Sequence, residues 1–458
     1  MRTYSDFARR SPIPRRDDGR TTSARNSPPL VNASLPRPGG PIFHFDGEFP
    51  SLVSLIEGTI AGRNFGWLPG ERARAVAHVA RVLREDDGSG ELAGEFGGAY
   101  RDVLAGAPGV PPEFVLPETF RIDVDAASDQ QIFDAVAALI AAYVEQLEFA
   151  RDARGANDGS PYDRFLELNR IPRKPSRGQS VDQYTDMLRQ RVAALREPVY
   201  VEDGPFEFHD QDRTFGPLEL AGLRLFLAKS GSHATDRDLR AGGAGNCAAC
   251  HPAPNFTDFS LHNTGVTQAE YDRIHGAGAF ARVFVPSLDE RRRNPDAWLP
   301  ATELHPHTAE PFRRPADASD LEHTDLGAWN IFANPDFPEP QAKLASLLCR
   351  EQLGRAQTKT GADFGAIARL CRPERLLAAS LARFKTAGLR DLGHSAPYFH
   401  NGQFDRFDEV LRFYRDASQL ARAGRLRNGD PEIARIAIDE KDFAALSAFL
   451  RALNEDYQ

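Results

Sequence analysis

A mainly α fold is what this 458-residue chain predicts, and three observations carry the prediction. Apolar residues recur at helical spacing in several stretches, no stretch sustains the alternation of a half-buried strand, and the intervening runs are dense in proline and glycine. With 41% hydrophobic residues the chain can bury a large core, and its length suits two or three domains. A formal net charge of -9 and a pI near 5.8 argue against nucleic acid or an anionic membrane surface as the main partner, since both ask for a basic face. No run approaches the ~18 consecutive apolar residues of a membrane span. The best candidate, Phe133 to Val144, carries Asp134 and reads as a core-facing helix.

Residues 1 to about 40 are rich in Arg, Ser, Pro and Gly without an apolar period, so they should be loop-like and rest on other parts of the chain. Behind Pro69, Val76, Val79 and Leu83 mark a helix from Glu71 to Asp86. A stronger helix starts at Ser128, which forms a capping-box pattern with Gln131; Ile132, Val136, Ile140, Val144 and Leu147 mark its face and Gly155 should end it. Residues 170–214 mix Pro, Arg, Gln and acidic groups around one helical stretch near Tyr184 to Leu195, which suits a linker or insertion with a boundary near 210. An apolar helix follows from Leu218 to Lys229. The proline-rich segment from about 285 to 342 reads as loop around a cofactor or partner surface. Two closing helices, Asp405 to Arg422 and Asp439 to Asn454, carry the faces Phe407/Val410/Leu411/Tyr414 and Phe443/Leu446/Phe449/Leu453.

The sharpest chemical signal is Cys247-Ala248-Ala249-Cys250-His251, a C-x-x-C-H attachment signature for a c-type haem. Two thiols at this spacing can each bond one haem vinyl group, and the adjoining His251 is then the proximal iron ligand. Gly242-Gly243-Ala244-Gly245-Asn246 offers a flexible approach, and Pro252-Ala253-Pro254 predicts an extended exit. A zinc site completed by Cys349, Cys371 or a distant histidine is the competing reading, but those cysteines are too far apart in sequence to form a closely spaced ligand pair. Cys349 and Cys371 read instead as a disulfide closing the intervening loop, with two buried free thiols as the simpler alternative. Thiol and haem chemistry both point outside the cytoplasm, yet Met1 to Asp6 lacks the apolar stretch of an export signal.

Phe384-Lys385-Thr386-Ala387-Gly388-Leu389-Arg390, Pro397-Tyr398-Phe399-His400-Asn401-Gly402 and Val410-Leu411-Arg412-Phe413-Tyr414 resemble the bacterial di-haem cytochrome c peroxidase and MauG superfamily. Asn255-Phe256-Thr257-Asp258 and Leu261-His262-Asn263-Thr264-Gly265 after the haem motif are similar to the same carboxy-terminal domain. Arg25-Asn26-Ser27-Pro28, Phe45-Asp46-Gly47 and Ser51-Leu52 resemble the stretch after the family's first haem motif. The likeness spans most of the chain apart from insertions around 170–214 and 285–375. It implies two cytochrome c-like helical domains with long loops and insertions: residues 1–169 lacking a haem motif, 170–214 as linker or insertion, and 215–458 carrying covalent haem.

The resemblance places the family's first C-x-x-C-H just ahead of the position of Tyr4-Ser5-Asp6. The expectation is therefore a complete protein with an export signal and a second haem motif upstream of Met1; a natural mono-haem relative with a relic amino-terminal scaffold is the other reading. For the carboxy-terminal haem, the two methionines, Met1 and Met187, lie outside the haem-bearing half, and Tyr414 stands where the family's peroxidases supply a distal methionine, as in MauG-type proteins. Tyr414 is thus either the distal ligand or a core aromatic on its helix face, with His262 and His400 as fallback ligands. The resemblance also implies calcium between the haem domains, with Asn26 as side-chain ligand and Ser395 and Pro397 as backbone ligands; alternatively Asn26 caps a turn before Pro28.

Departures from the family bear on activity. At the peroxide site of the first haem, the family's glutamine aligns with Leu55, its catalytic glutamate with Phe65, and the tryptophan between the haems with Phe45. Neither Leu55 nor Phe65 can shuttle a proton between peroxide oxygens; Glu57, Glu48 and His44 are the nearby substitutes. The expected function is a periplasmic oxidoreductase passing electrons from a small redox protein through covalent haem, with hydrogen peroxide as candidate oxidant. The alternatives are a non-enzymatic electron carrier and a haem-stabilised binding scaffold.

Overall fold

The structure, a computed structural model, describes residues 25–37, 40–231, 235–357, 369 and 371–456. The expectations that rest on residues 1–24 lie outside this range. The described residues are mainly helical, and their two named sheets are short antiparallel pairs, Val201–Pro205 with Asp212–Phe215 and Leu261–His262 with Phe384–Lys385. Among the described residues no helix is long and apolar enough to cross a membrane.

The amino-terminal half is built on the helices Leu52–Ile60, Arg72–Glu85, Tyr100–Ala105 and Asp129–Glu145. Ser128 accepts from the Gln131 backbone while the Gln131 side chain returns to the Ser128 amide, so the capping box forms as its sequence predicts. The helix nevertheless ends at Glu145, ten residues short of Gly155. Asn32 explains the early stop: its amide donates to the Leu147 carbonyl (2.7 Å) and its side chain accepts from the Phe149 amide (3.2 Å), drawing those backbone groups out of the helical ladder. The buried face is also rotated from the expected one. Ile132, Phe133, Ala137, Ala141 and Val144 are buried while Ile140 is exposed, because the alanines let the helices Leu52–Ile60 and Arg72–Glu85 pack closely. The apolar contacts in this half form three small clusters.

From Pro161 onward one larger core gathers the helices Pro161–Leu168, Val181–Ala194, Pro217–Leu227, Phe407–Arg422 and Glu440–Arg451. Residues 170–214 contribute Ile171, Tyr184, Leu188, Val192 and Val201 to it. The helices Pro217–Leu227 and Glu440–Arg451 cross at Gly222, where a Cβ would sit 1.9 Å from the Ala445 carbonyl oxygen; only glycine allows that approach. The closing helices bury Phe407, Leu411, Phe443, Leu446, Phe449 and Leu453, as their periodicity requires.

The proline-rich stretch is mostly irregular, interrupted by the short helices Leu288–Arg293 and Pro295–Trp298, but it owns a core around Phe312, Trp329 and Leu344. Buried Arg291 holds this loop by donating to the Trp329 and Phe332 carbonyls. Cys349 and Cys371 form a disulfide that ties the helix Gln341–Gln357 to the segment leading into Pro373–Ala379, which removes both from any zinc site.

Candidate functional site

The approach to the haem motif is pinned rather than flexible. Gly243 donates to Asp442, Ala244 bridges Ala437, and the Gly245 and Asn246 amides reach the Leu225 and Ala228 carbonyls. These bonds use up the polar backbone that would otherwise let the segment move. Gly245 is required by contact: a Cβ there would meet the Leu225 carbonyl oxygen at 2.8 Å and Cys247 Sγ at 2.9 Å. Asn246 takes a left-handed conformation (φ 51°), its side chain bonded to Glu432 (2.9 Å), and turns the chain into the 3₁₀ turn Cys247–Ala249. The exit is not extended either. Residues 253–256 turn back, bringing the Phe256 carbonyl to His251 Nδ1 at 2.8 Å.

That bond sets the chemistry of His251. A carbonyl oxygen only accepts, so Nδ1 carries the proton and Nε2 keeps its lone pair, as a metal-ligating imidazole needs. Burial also pushes the His251 pKa below its ordinary value, which keeps the ring neutral. Cys247 and Cys250 are free thiols; burial pushes Cys247 up to about 12 and raises Cys250 as well, so both stay protonated.

Cys247, Cys250 and His251 open onto one cavity of about 440 Å³. Its walls are largely apolar, with Phe226, Val266, Leu411, Ile436 and Leu446 among them, and Tyr414 and His262 complete the end near the cysteines. Burial and then repulsion from Cys250 and Cys247 raise the Tyr414 phenol, so it is neutral in the protein as it stands. Two free thiols and a ligand-ready imidazole on an apolar cavity are a donor set that fits covalent haem. His262 lies beside Cys250, its Nδ1 2.8 Å from Asp430 and its Nε2 2.8 Å from Asp258. Burial opposes its charge, but the Asp258 and Asp430 carboxylates hold its pKa well above the ordinary value. With both ring nitrogens engaged, His262 is poorly placed to serve as the fallback ligand.

The residues expected at a calcium site converge in part. Asn26 Nδ2 donates to the Pro397 carbonyl across 371 positions, its Oδ1 accepts from Ser27, and Ser395 lines the same cavity. Leu55 and Phe65, expected at the site of a first haem rather than at this one, lie off the cavity: Leu55 is packed with Phe43 and Leu52, and Phe65 is 50% exposed. Phe45 is buried and lines the cavity. Of the proposed substitutes, Glu57 pairs with Arg72, while Glu48 pairs with His44 and Arg313. His44, Asp46 and Glu48 form a tight cluster, met by the Arg25 and Arg313 guanidiniums, with Arg25 reaching on to Asp325. It is a buried ion network joining residues 25–48 to residues 313–325.

Sequence reasoning missed the Asp258–His262–Asp430 clamp. Asp258 stands four residues before His262, a spacing that signals little outside a helix, and Asp430 comes from 168 positions away. It also missed Lys385 as a buried amine on the cavity wall.

No family model matches the chain. Two curated relatives do: a cytochrome-c peroxidase IdrP2 of Denitromonas iodatirespirans, 23% identical over 212 residues (46% of this chain and 37% of the relative), and a cytochrome-c peroxidase IdrP2 of Pseudomonas sp. (strain SCT), 35% identical over 200 residues (40% and 50%). The chain thus spans half or less of these relatives. Among solved structures, the diheme peroxidase BthA of Burkholderia thailandensis E264 aligns with a TM-score of 0.41 at 17% identity, covering 97% of this chain and 75% of the other. A MauG-like protein associated with microbial copper homeostasis aligns at 0.38 and 14% identity, covering 97% and 79%.

Proposed function

We propose that the chain, similar over part of its length to two cytochrome-c peroxidases, is a member of the di-haem cytochrome c peroxidase and MauG superfamily: a periplasmic c-type cytochrome oxidoreductase that reacts with hydrogen peroxide and takes electrons from a small redox protein. The observation that carries this reading is the placement of both motif thiols and the Nδ1-anchored His251 on one apolar cavity. Cys247 and Cys250 would hold the porphyrin by thioether bonds, His251 would be the proximal ligand and Tyr414 the distal one. Bound there, haem supplies one-electron redox chemistry whose potential follows its axial ligands and surroundings. Around it the chain's own groups orient and shield: the Phe256 carbonyl fixes the His251 ring, and the apolar wall excludes water.

The distal role of Tyr414 is supported by its place on the cavity with the cysteines. Tyr414→Phe should change the ferric absorption and paramagnetic-resonance spectra; identical spectra would refute the assignment. Calcium at Asn26, Ser395 and Pro397 completes the proposal. Asn26 and Pro397 lie side by side, which brings two of the expected ligand residues together, with Asn26 Nδ2 on the Pro397 carbonyl and Oδ1 on the Ser27 amide.

A second reading, a non-enzymatic electron carrier, is favoured by Leu55 and Phe65, neither of which can move a proton. Addition of hydrogen peroxide to the reduced, haem-loaded protein separates the two. Rapid oxidation with catalytic turnover of a reduced cytochrome supports the oxidoreductase; slow oxidation without turnover supports the carrier.

A further inference from the structure

We propose that Lys385 and His400 are the anchors for the two propionate carboxylates of the haem, an assignment that rests on the haem reading of the cavity. A porphyrin of this type brings two anionic side chains. Burying either without a cationic or hydrogen-bonding partner is costly. The cavity wall must therefore supply donors beyond those that hold the thioethers and the iron.

Among the described residues lining the cavity, the nitrogen-bearing titratable side chains are His251, His262, Lys385 and His400. His251 is spent on the Phe256 carbonyl and the iron, and both nitrogens of His262 are spent on Asp258 and Asp430. Lys385 and His400 remain. Lys385 has three donors, and its Nζ makes one long bond of 3.3 Å, to the Ile42 carbonyl. His400 is 4% exposed, and its Nε2 is buried without a hydrogen-bond partner. Both line the cavity.

The two groups stand together on a wall that tertiary structure assembles. Phe384 stacks on the His400 ring with centroids 3.4 Å apart, and Phe45 meets it edge-on at 6.5 Å. The Lys385 amide donates to the Phe45 carbonyl (2.6 Å), and its ammonium lies 5.9 Å from the Phe43 ring centre. Both residues line the cavity beside Phe45.

The test uses haem-loaded protein from cells equipped to mature c-type cytochromes, in wild type, Lys385→Met, Lys385→Arg and His400→Phe forms; phenylalanine keeps the stack on Phe384. Pyridine haemochrome reports covalent haem, resonance Raman reports the propionate bending modes, and redox titration reports the midpoint. Covalent haem should persist in every variant, because the thioethers hold it. Each of Lys385→Met and His400→Phe should shift a propionate mode. Lys385→Met should also lower the midpoint, by up to a tenfold change in the ferrous-to-ferric ratio, ~59 mV for one electron, with Lys385→Arg restoring it. Unchanged propionate modes and midpoint in both variants would overturn the assignment. So would a change of axial-ligand spectrum in His400→Phe, which would make His400 an iron ligand. A wild-type chain without haemochrome overturns the haem reading itself, a separate outcome from either.

Discussion

The two halves of the molecule solve the packing problem differently. Residues 25–145 pack largely through three small apolar clusters between four helices, whereas residues 161–456 build two larger cores, one of which wraps a cavity of about 440 Å³. An apolar cavity of that size suits a core completed by a large apolar group, which the haem reading supplies, while residues 25–48 stay tied to the rest through the Arg25–Asp325 and Arg313–Glu48 ion pairs.

The largest expected effect breaks this contrast outright. Replacing Cys247 and Cys250 together by serine should abolish covalent haem, read by pyridine haemochrome, and should cut the yield of folded protein; full folding and normal thermal stability of the haem-free variant would contradict the cofactor-completed core. Next comes the buried charge knot of the same half. Arg390 donates to both oxygens of Asp163 (2.8 and 2.9 Å) and to Glu455 (3.1 Å). Arg390→Met strands those carboxylates and should cost about 3–5 kcal/mol in urea unfolding.

The same knot sharpens the comparison through pH. Burial, partly offset by Arg390 and reinforced by Asp163, lifts Glu455 from 4.5 to about 7. Its folded pKa lies above its unfolded one, so its contribution to stability is complete below about 4.5 and is lost as pH rises through about 7. Glu455→Gln should flatten the stability profile of the carboxy-terminal half across that window; an unchanged slope would show that Glu455 does not hold the extra proton. The smallest effect belongs to the amino-terminal half. Ser128→Ala removes the cap on Asp129–Glu145 and should cost ~1 kcal/mol, without moving the haem spectrum, because that helix packs in clusters apart from the cavity.

The residues themselves show what was legible. Ser128 with Gln131 marked a helix start, and Phe443, Leu446, Phe449 and Leu453 marked a buried face, because capping and periodicity are local. Cys247, Cys250 and His251 announced their chemistry by spacing alone. The helix end at Glu145 was not legible, since Asn32, over a hundred residues away, takes the backbone groups that would have continued it. Neither was the fixed approach to the motif, which Asp442, Ala437 and Leu225 impose.

By itself the sequence determined a mainly helical chain and a C-x-x-C-H motif. Only the tertiary structure decided that the Phe256 carbonyl sets the His251 tautomer, that Asp258 and Asp430 clamp His262, that Cys349 bonds Cys371, and that Lys385 and His400 line the cavity. The reason is physical: helical period and motif spacing are encoded within a few residues, whereas the partners of a buried polar atom are chosen by whichever distant segments folding brings against it.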